Sequence, residues 1–147
     1  MVIKRADATH YECIAKMYKK FLQEVYPDRV LSDDITIHRV VMSWYAPSID
    51  LFVSINSADK VCGFSLDFID TNGGTLSPIY RAEIGFTLTK QRFSKSTYML
   101  MHATINRAKE LGLTLNSKAS LYNGTEKLHS KLGAKPIFTE MELKHER

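Results

Sequence analysis

The residues best placed to do chemistry fall in one short stretch, Gln91-Arg92-Phe93-Ser94-Lys95-Ser96. Before it, Ala82, Ile84, Phe86 and Leu88 alternate with Glu83, Gly85, Thr87 and Thr89, the period-two pattern of a strand. After it, Tyr98, Met101, Ile105, Ala108 and Leu111 recur at helical spacing, and Gly112 supplies a helix stop. A helix entered from a strand through a short polar loop begins with unpaired amide N–H groups, and the positive end of its dipole faces that loop. Such a corner accepts an anion, most simply a phosphate or pyrophosphate. Arg92 and Lys95 add positive charge there.

The rest of the chain reads as the frame for this corner. Val2 to Arg5 is a short edge strand. Asp7 or Thr9 caps the first helix, and Thr9-x-x-Glu12 fits a capping box. Tyr11, Ile14, Tyr18, Phe21 and Val25 give that helix one apolar face, and Pro27 ends it. A second helix starts after Ser32, with Asp33 and Asp34 in its first turn, where the dipole favours acidic side chains. Ile37, Val41 and Trp44 mark its buried side. The loop before this helix, with the helix itself, forms one wall of a cleft or simply covers the sheet.

Three strands follow. Leu51, Val53 and Ile55 alternate in the first, and Ser57-Ala58-Asp59-Lys60 is a tight connection to the second. There Phe64, Leu66 and Phe68 alternate with Ser65 and Asp67, and Asn72-Gly73-Gly74 turns the chain into the strand that reaches the corner. Past the long helix, Thr114 to Leu121 is a strand, Thr125 to Leu132 a short helix stopped by Gly133, and Ile137 to Leu143 a final strand. Helices between strands imply crossovers and some parallel pairing, while the middle reads as a meander. The expected fold is mixed α/β, one domain over residues 1–147, with a central, mostly antiparallel twisted sheet flanked by helices.

Bulk properties narrow the classes. A net charge of +4 welcomes a polyphosphate ligand or an acidic partner but falls well short of a nucleic-acid-binding tail. The two cysteines, Cys13 and Cys62, lie far apart in regular elements, which argues against a disulfide framework and a zinc site; no metal is expected. No apolar run approaches the ~18 residues that span a membrane, and the N-terminus lacks a signal-peptide core. A cytoplasmic protein is expected.

The element order and two local motifs together resemble the GNAT superfamily of acetyl-coenzyme A-dependent N-acetyltransferases over essentially the whole chain. In that family a strand runs into a Q/R-x-x-G-x-G/A loop and then a helix, whose amides hold the coenzyme A pyrophosphate. Here Gln91 leads the matching segment, and Ser94 and Ser96 stand in place of the glycines. The second family signature is an Asn followed by a short helix ending like L-Y-x-K-L-G-F. This chain has Asn123 and then Leu128-His129-Ser130-Lys131-Leu132-Gly133.

The resemblance implies transfer of an acetyl group from acetyl-coenzyme A to a primary amine on a small-molecule or protein acceptor. It assigns Gln91, Arg92, Phe93, Ser94, Lys95, Ser96 and Thr97 to the coenzyme's pyrophosphate and Phe86, Thr87 and Leu88 to its pantetheine arm, with Asn123 nearby. A serine at 94 or 96 keeps the glycine's role only where no positive φ is needed; its hydroxyl is free to meet phosphate or to cap the helix. His129 occupies the place of the tyrosine that protonates the departing thiolate, and histidine is a suitable proton donor near neutral pH. Tyr122 is the alternate acid. Glu83 is the candidate general base and Asp67 its rival on the adjacent strand. A homodimer is compatible with this reading. The alternative function is a protein of the same fold that binds coenzyme A without turnover, or serves as a scaffold for protein or nucleic acid.

Overall fold

The computed structural model describes residues 1–72, 76–86, 95–117, 125–137, 141 and 143. Its strands are β1 (Val2–Arg5), β2 (Ile49–Ile55), β3 (Val61–Asn72), β4 (Ser77–Phe86) and β5 (Leu115–Ser117), and its helices α1 (Tyr11–Val25), α2 (Asp34–Ser43), α3 (Lys95–Leu111) and α4 (Thr125–Lys131). The sheet order is β1-β2-β3-β4-β5. Neighbours from β1 to β4 are antiparallel, and β5 runs parallel to β4 after the α3 crossover. The mixed, mostly antiparallel sheet with flanking helices is therefore present.

Two helix starts show how local chemistry sets the frame. Asp7 caps a 3-10 turn over Ala8–His10, accepting the Thr9 amide at 2.9 Å, while His10 Nδ1 accepts the Asp7 amide at 3.0 Å. The reciprocal box is thus Asp7 with His10, not Thr9 with Glu12, because the extra turn moves the start of α1 to Tyr11. At α2 the cap is Asp33, whose carboxylate accepts the Thr36 amide at 2.7 Å.

One face of the sheet meets α1 and α2 in an apolar core. Leu51, Val53, Phe64 and Leu66 pack there with Ile14, Met17, Ile37 and Val41, all buried. Trp44 crosses the layer, edge-on to Tyr18 with centroids 4.7 Å apart and stacked on Phe64 at 5.9 Å. The inward side of α1 is Ile14, Ala15 and Met17, with Tyr11 and Tyr18 partly buried beside them. It is rotated slightly from the aromatic stripe the sequence suggested.

The other face is covered by α3, and there the interior is polar. Ser54, Ser65 and Asp67 alternate with the core residues of β2 and β3, yet all three are fully buried. The buried side of α3 is Ser96, Thr97, Leu100, Met101, Thr104 and Ala108, about one residue around the helix from the stripe that Tyr98, Ile105 and Leu111 had outlined. Both glycine stops hold. Gly112 and Gly133 take φ of 67° and 86°. Leu113 N–H reaches back to the Ala108 carbonyl and Ala134 N–H to that of His129, each closing its helix with a left-handed glycine.

Of the expected fifth strand, Leu115–Ser117 is present, and residues 118–121 lie outside the described residues. Of the expected last strand, Ile137, Met141 and Leu143 are described; they are exposed and belong to no strand. Among the described residues no helix is long and apolar enough to cross a membrane.

Candidate functional site

The strand register brings distant parts of the chain to one end of the sheet. Ile3 pairs with Ser54, Ser54 with Gly63, and Gly63 with Phe86, so a single rung crosses four strands where β4 ends. The first turn of α3 is tied to this rung, because the Ser96 and Ser54 hydroxyls are hydrogen-bonded to each other. From there α3 runs back along the sheet: Thr104 meets Ser65 and Asp67, and Arg107 reaches Asp50 near the opposite end. The opening of α3 thus lies over β2 on the same rung as Phe86, two strands from it, although residues 87–94 separate the two in sequence.

The described pairing of β4 with β5 runs from Tyr80↔Leu115 to Ala82↔Ser117, and residues 118–124 lie outside the described residues.

The expected site residues divide as follows. In the backbone ladder Glu83 pairs with Leu66 and Phe86 with Gly63; their side chains lie outside the described ones. Lys95 opens α3 and is exposed, whereas Ser96 and Thr97 are buried at 1% and 0% of their surface. The Ser96 hydroxyl is therefore directed to Ser54 inside the protein. His129 is half-buried on α4 beside the fully buried Leu128, with its Nε2 atom shielded from solvent. Thr87, Leu88, Gln91, Arg92, Phe93, Ser94, Tyr122 and Asn123 lie outside the described residues. The structure ties Ser96 through Ser54 to the rung that carries Phe86, and His129 stands on α4, which follows β5 in the chain.

Asp67, the rival base, is placed elsewhere. It has no solvent-exposed surface and sits beneath α3, accepting hydrogen bonds from Ser65 and, at 3.0 Å, from the Thr104 hydroxyl. The Tyr80 hydroxyl donates to Asp50 at 2.8 Å and lies 3.2 Å from Asp67. Burial pushes the Asp67 carboxyl up to about 6, against the lowering effect of these hydrogen bonds. At Asp50 burial also acts upward, but hydrogen bonds from Arg107, Tyr80 and Arg5 outweigh it and hold the carboxyl below its ordinary range. Burial, and then the charge of Asp67, push the Tyr80 phenol upward, so it serves as a neutral donor. An acceptor amine outside the protein has no route to Asp67 in this arrangement.

This cluster went unread in the sequence. Its one signal was Thr97 and Thr104, seven residues apart on the long helix and polar where a core-facing stripe should be apolar. Among the described residues no group of three or more His, Cys, Asp or Glu side chains could hold a metal ion. A separate open cleft of about 220 Å³ lies at the far end of the sheet, between Arg5, Trp44, Tyr45, Pro47 and Ile49.

Comparison with known proteins places this geometry. No protein-family model and no curated protein sequence matches the chain. Solved structures do match, end to end. A predicted acetyltransferase from Clostridium acetobutylicum with acetyl-CoA superposes with a TM-score of 0.76 at 13% identity, covering 97% of this chain and 95% of that one. An aminoglycoside N-acetyltransferase in complex with CoA gives 0.74 at 20% identity, covering 98% and 93%. The aminoglycoside 6'-N-acetyltransferase of Acinetobacter haemolyticus, in its apo form, gives 0.74 at 16% identity, covering 100% and 99%. At these identities the likeness establishes the fold: the chain has the GNAT acetyltransferase fold.

Proposed function

We propose that this protein transfers an acetyl group from acetyl-coenzyme A to a primary amine. The observation that carries the reading is the rung at the end of β4, to which the first turn of α3 is fastened through the Ser54 and Ser96 hydroxyls. An extended, phosphorylated ligand fits such a place: backbone groups of Phe86, Thr87 and Leu88 along its arm, and amides of Gln91 through Thr97 at its pyrophosphate, with the exposed Lys95 and with Arg92 supplying charge. Asn123, two positions before α4 in the sequence, is assigned to the same ligand. Two of the structural neighbours carry acetyl-CoA or CoA, which supports the same ligand here.

The coenzyme supplies the activated acetyl thioester. The chain must then remove a proton from the attacking amine and return one to the departing thiolate. Glu83, on the same strand as Phe86, is assigned the first task, directly or through water. His129 is assigned the second, its imidazole donating to sulfur, with Tyr122 as the alternate donor. The acceptor is assigned only as an amine, a class in keeping with the aminoglycoside substrates named for two neighbours.

Serines in place of the loop glycines favour a second reading, a coenzyme A binder without turnover. Release of free thiol from acetyl-coenzyme A across a panel of amines separates the two. Amine-dependent release supports the enzyme; tight binding with no release supports the binder.

A further inference from the structure

Ser54 belongs to no ligand-binding motif, yet it is the side chain on which the two halves of the proposed coenzyme site meet. It is fully buried on β2, at the point where the regular ladder ends, for the register shifts between Ser54 and Ile55. Its backbone faces Gly63, and Gly63 faces Phe86 at the end of β4. Its hydroxyl lies 3.5 Å from the Gly63 carbonyl oxygen, which can take its proton, and its oxygen is then open to accept from Ser96. Ser96, 1% exposed, is the second residue of α3. One pair of hydroxyls therefore holds the opening turn of the helix against the rung that carries Phe86.

We propose that Ser54 is a positioning residue for coenzyme A, fixing the first amides of α3 relative to the end of β4; this rests on the coenzyme reading above. Amides hold a phosphate only when they converge on one point, and a helix start that drifts across the sheet loses that convergence without unfolding. Thr104 and Arg107 tie α3 to the sheet farther along, which leaves the first turn to be fixed by its own contacts. A directional bond to a rigid strand end fixes it, and the bond is buried, so water does not compete for it.

The test measures coenzyme A dissociation constants by titration calorimetry, well below each melting temperature, for wild type, Ser54→Ala, Ser96→Ala and the double variant. Val53→Ala is the control: Val53 is fully buried on the opposite face of the same strand and has no part in the hydroxyl pair. Each serine variant should weaken binding by roughly tenfold, the scale of one buried hydrogen bond. The double variant should be no weaker than either single one, because both changes remove the same bond. Val53→Ala should lower the melting temperature and leave the dissociation constant within about twofold. If Ser54→Ala does not fold, Ser96→Ala carries the same test. Unchanged affinity in a folded serine variant, or equal weakening by Val53→Ala, overturns the positioning role alone. Failure of wild type to bind coenzyme A overturns the coenzyme reading and this inference with it.

Discussion

Thr104 on α3 donates its hydroxyl to Asp67 on β3 at 3.0 Å, and neither side chain reaches solvent beyond 1% of its surface. A helix is thus held to the sheet by a buried carboxylate where most domains use aliphatic packing, and the titration of that carboxylate is part of the stability of the fold.

The first prediction follows from the sign of that titration. Asp67 is raised from an ordinary 3.8 to about 6, so between these values the folded state keeps a proton that the unfolded chain gives up. The Asp67 contribution therefore falls as pH rises through this window, by up to about 3 kcal/mol, and the cost is complete above pH 6. Asp67→Asn should remove it. Melting curves should show the wild type gaining on the variant as pH drops from 7.5 to 5, with the variant equal or more stable at 7.5. A constant difference across that range would mean that Asp67 does not titrate there.

Asp50 behaves in the opposite sense. It accepts from Tyr80 at 2.8 Å and from Arg107 at 2.9 Å, and it pairs with Arg5, so its carboxyl is held low. Its contribution is present above the ordinary carboxylate value and lost as pH falls through the depressed one. Asp50→Asn should cost about 2–3 kcal/mol, since it weakens the acceptor for three donors at once. Arg107→Ala, removing one partly exposed donor, should cost clearly less than Asp50→Asn. Denaturant titration measures both, and equal costs would show that Asp50 does not organise the group.

Substitutions in the first turn of α3 separate its inward from its outward residue. A carboxylate near a helix start usually interacts well with the dipole, and position 96 looks suitable by sequence. The structure reverses that expectation: Ser96 is 1% exposed and bonded to Ser54, so Ser96→Asp should bury a charge and destabilise by at least about 2 kcal/mol. Lys95 is the exposed residue of the turn. Lys95→Glu should leave stability equal or slightly higher while weakening coenzyme A several-fold by like-charge repulsion. Melting and titration calorimetry read the two quantities side by side. A Lys95→Glu protein with undiminished affinity would move the phosphate site away from this turn.

Much of the frame was legible in the sequence because it depends on local signals. Gly112 and Gly133 both sit at positive φ after helices, and Ile37, Val41 and Trp44 are buried as their spacing implied. The polar layer was hidden for a physical reason. Alternation in Phe64-Ser65-Leu66-Asp67-Phe68 shows which residues share a face, but not whether the polar face is covered. Here it is covered by a helix whose own inward side includes Ser96, Thr97 and Thr104, so neither partner reads as core. The link between Ser54 and Ser96 spans 42 positions and has no local trace. Of the expected site, Glu83, Phe86, Lys95, Ser96, Thr97 and His129 have described positions, while the loop residues at 87–94 and those at 122 and 123 lie outside them.

His129 tests the proton donor. With a half-buried ring on α4 and no other imidazole among the assigned residues, His129→Phe should lower turnover on the order of 10²-fold and leave coenzyme A affinity within about twofold. Steady-state rates with chemistry shown to be limiting provide the measurement. Unchanged turnover assigns the proton to Tyr122 or to solvent.

The most direct test of the central claim is titration of the wild-type protein with acetyl-coenzyme A, followed by thermal melting and by thiol release with amines. The account predicts one-site binding and a stabilisation of about 2.7 kcal/mol at a hundredfold excess over the dissociation constant, with thiol released only when an amine acceptor is present. No heat of binding, a melting temperature unmoved by millimolar acetyl-coenzyme A, and no thiol release would contradict it.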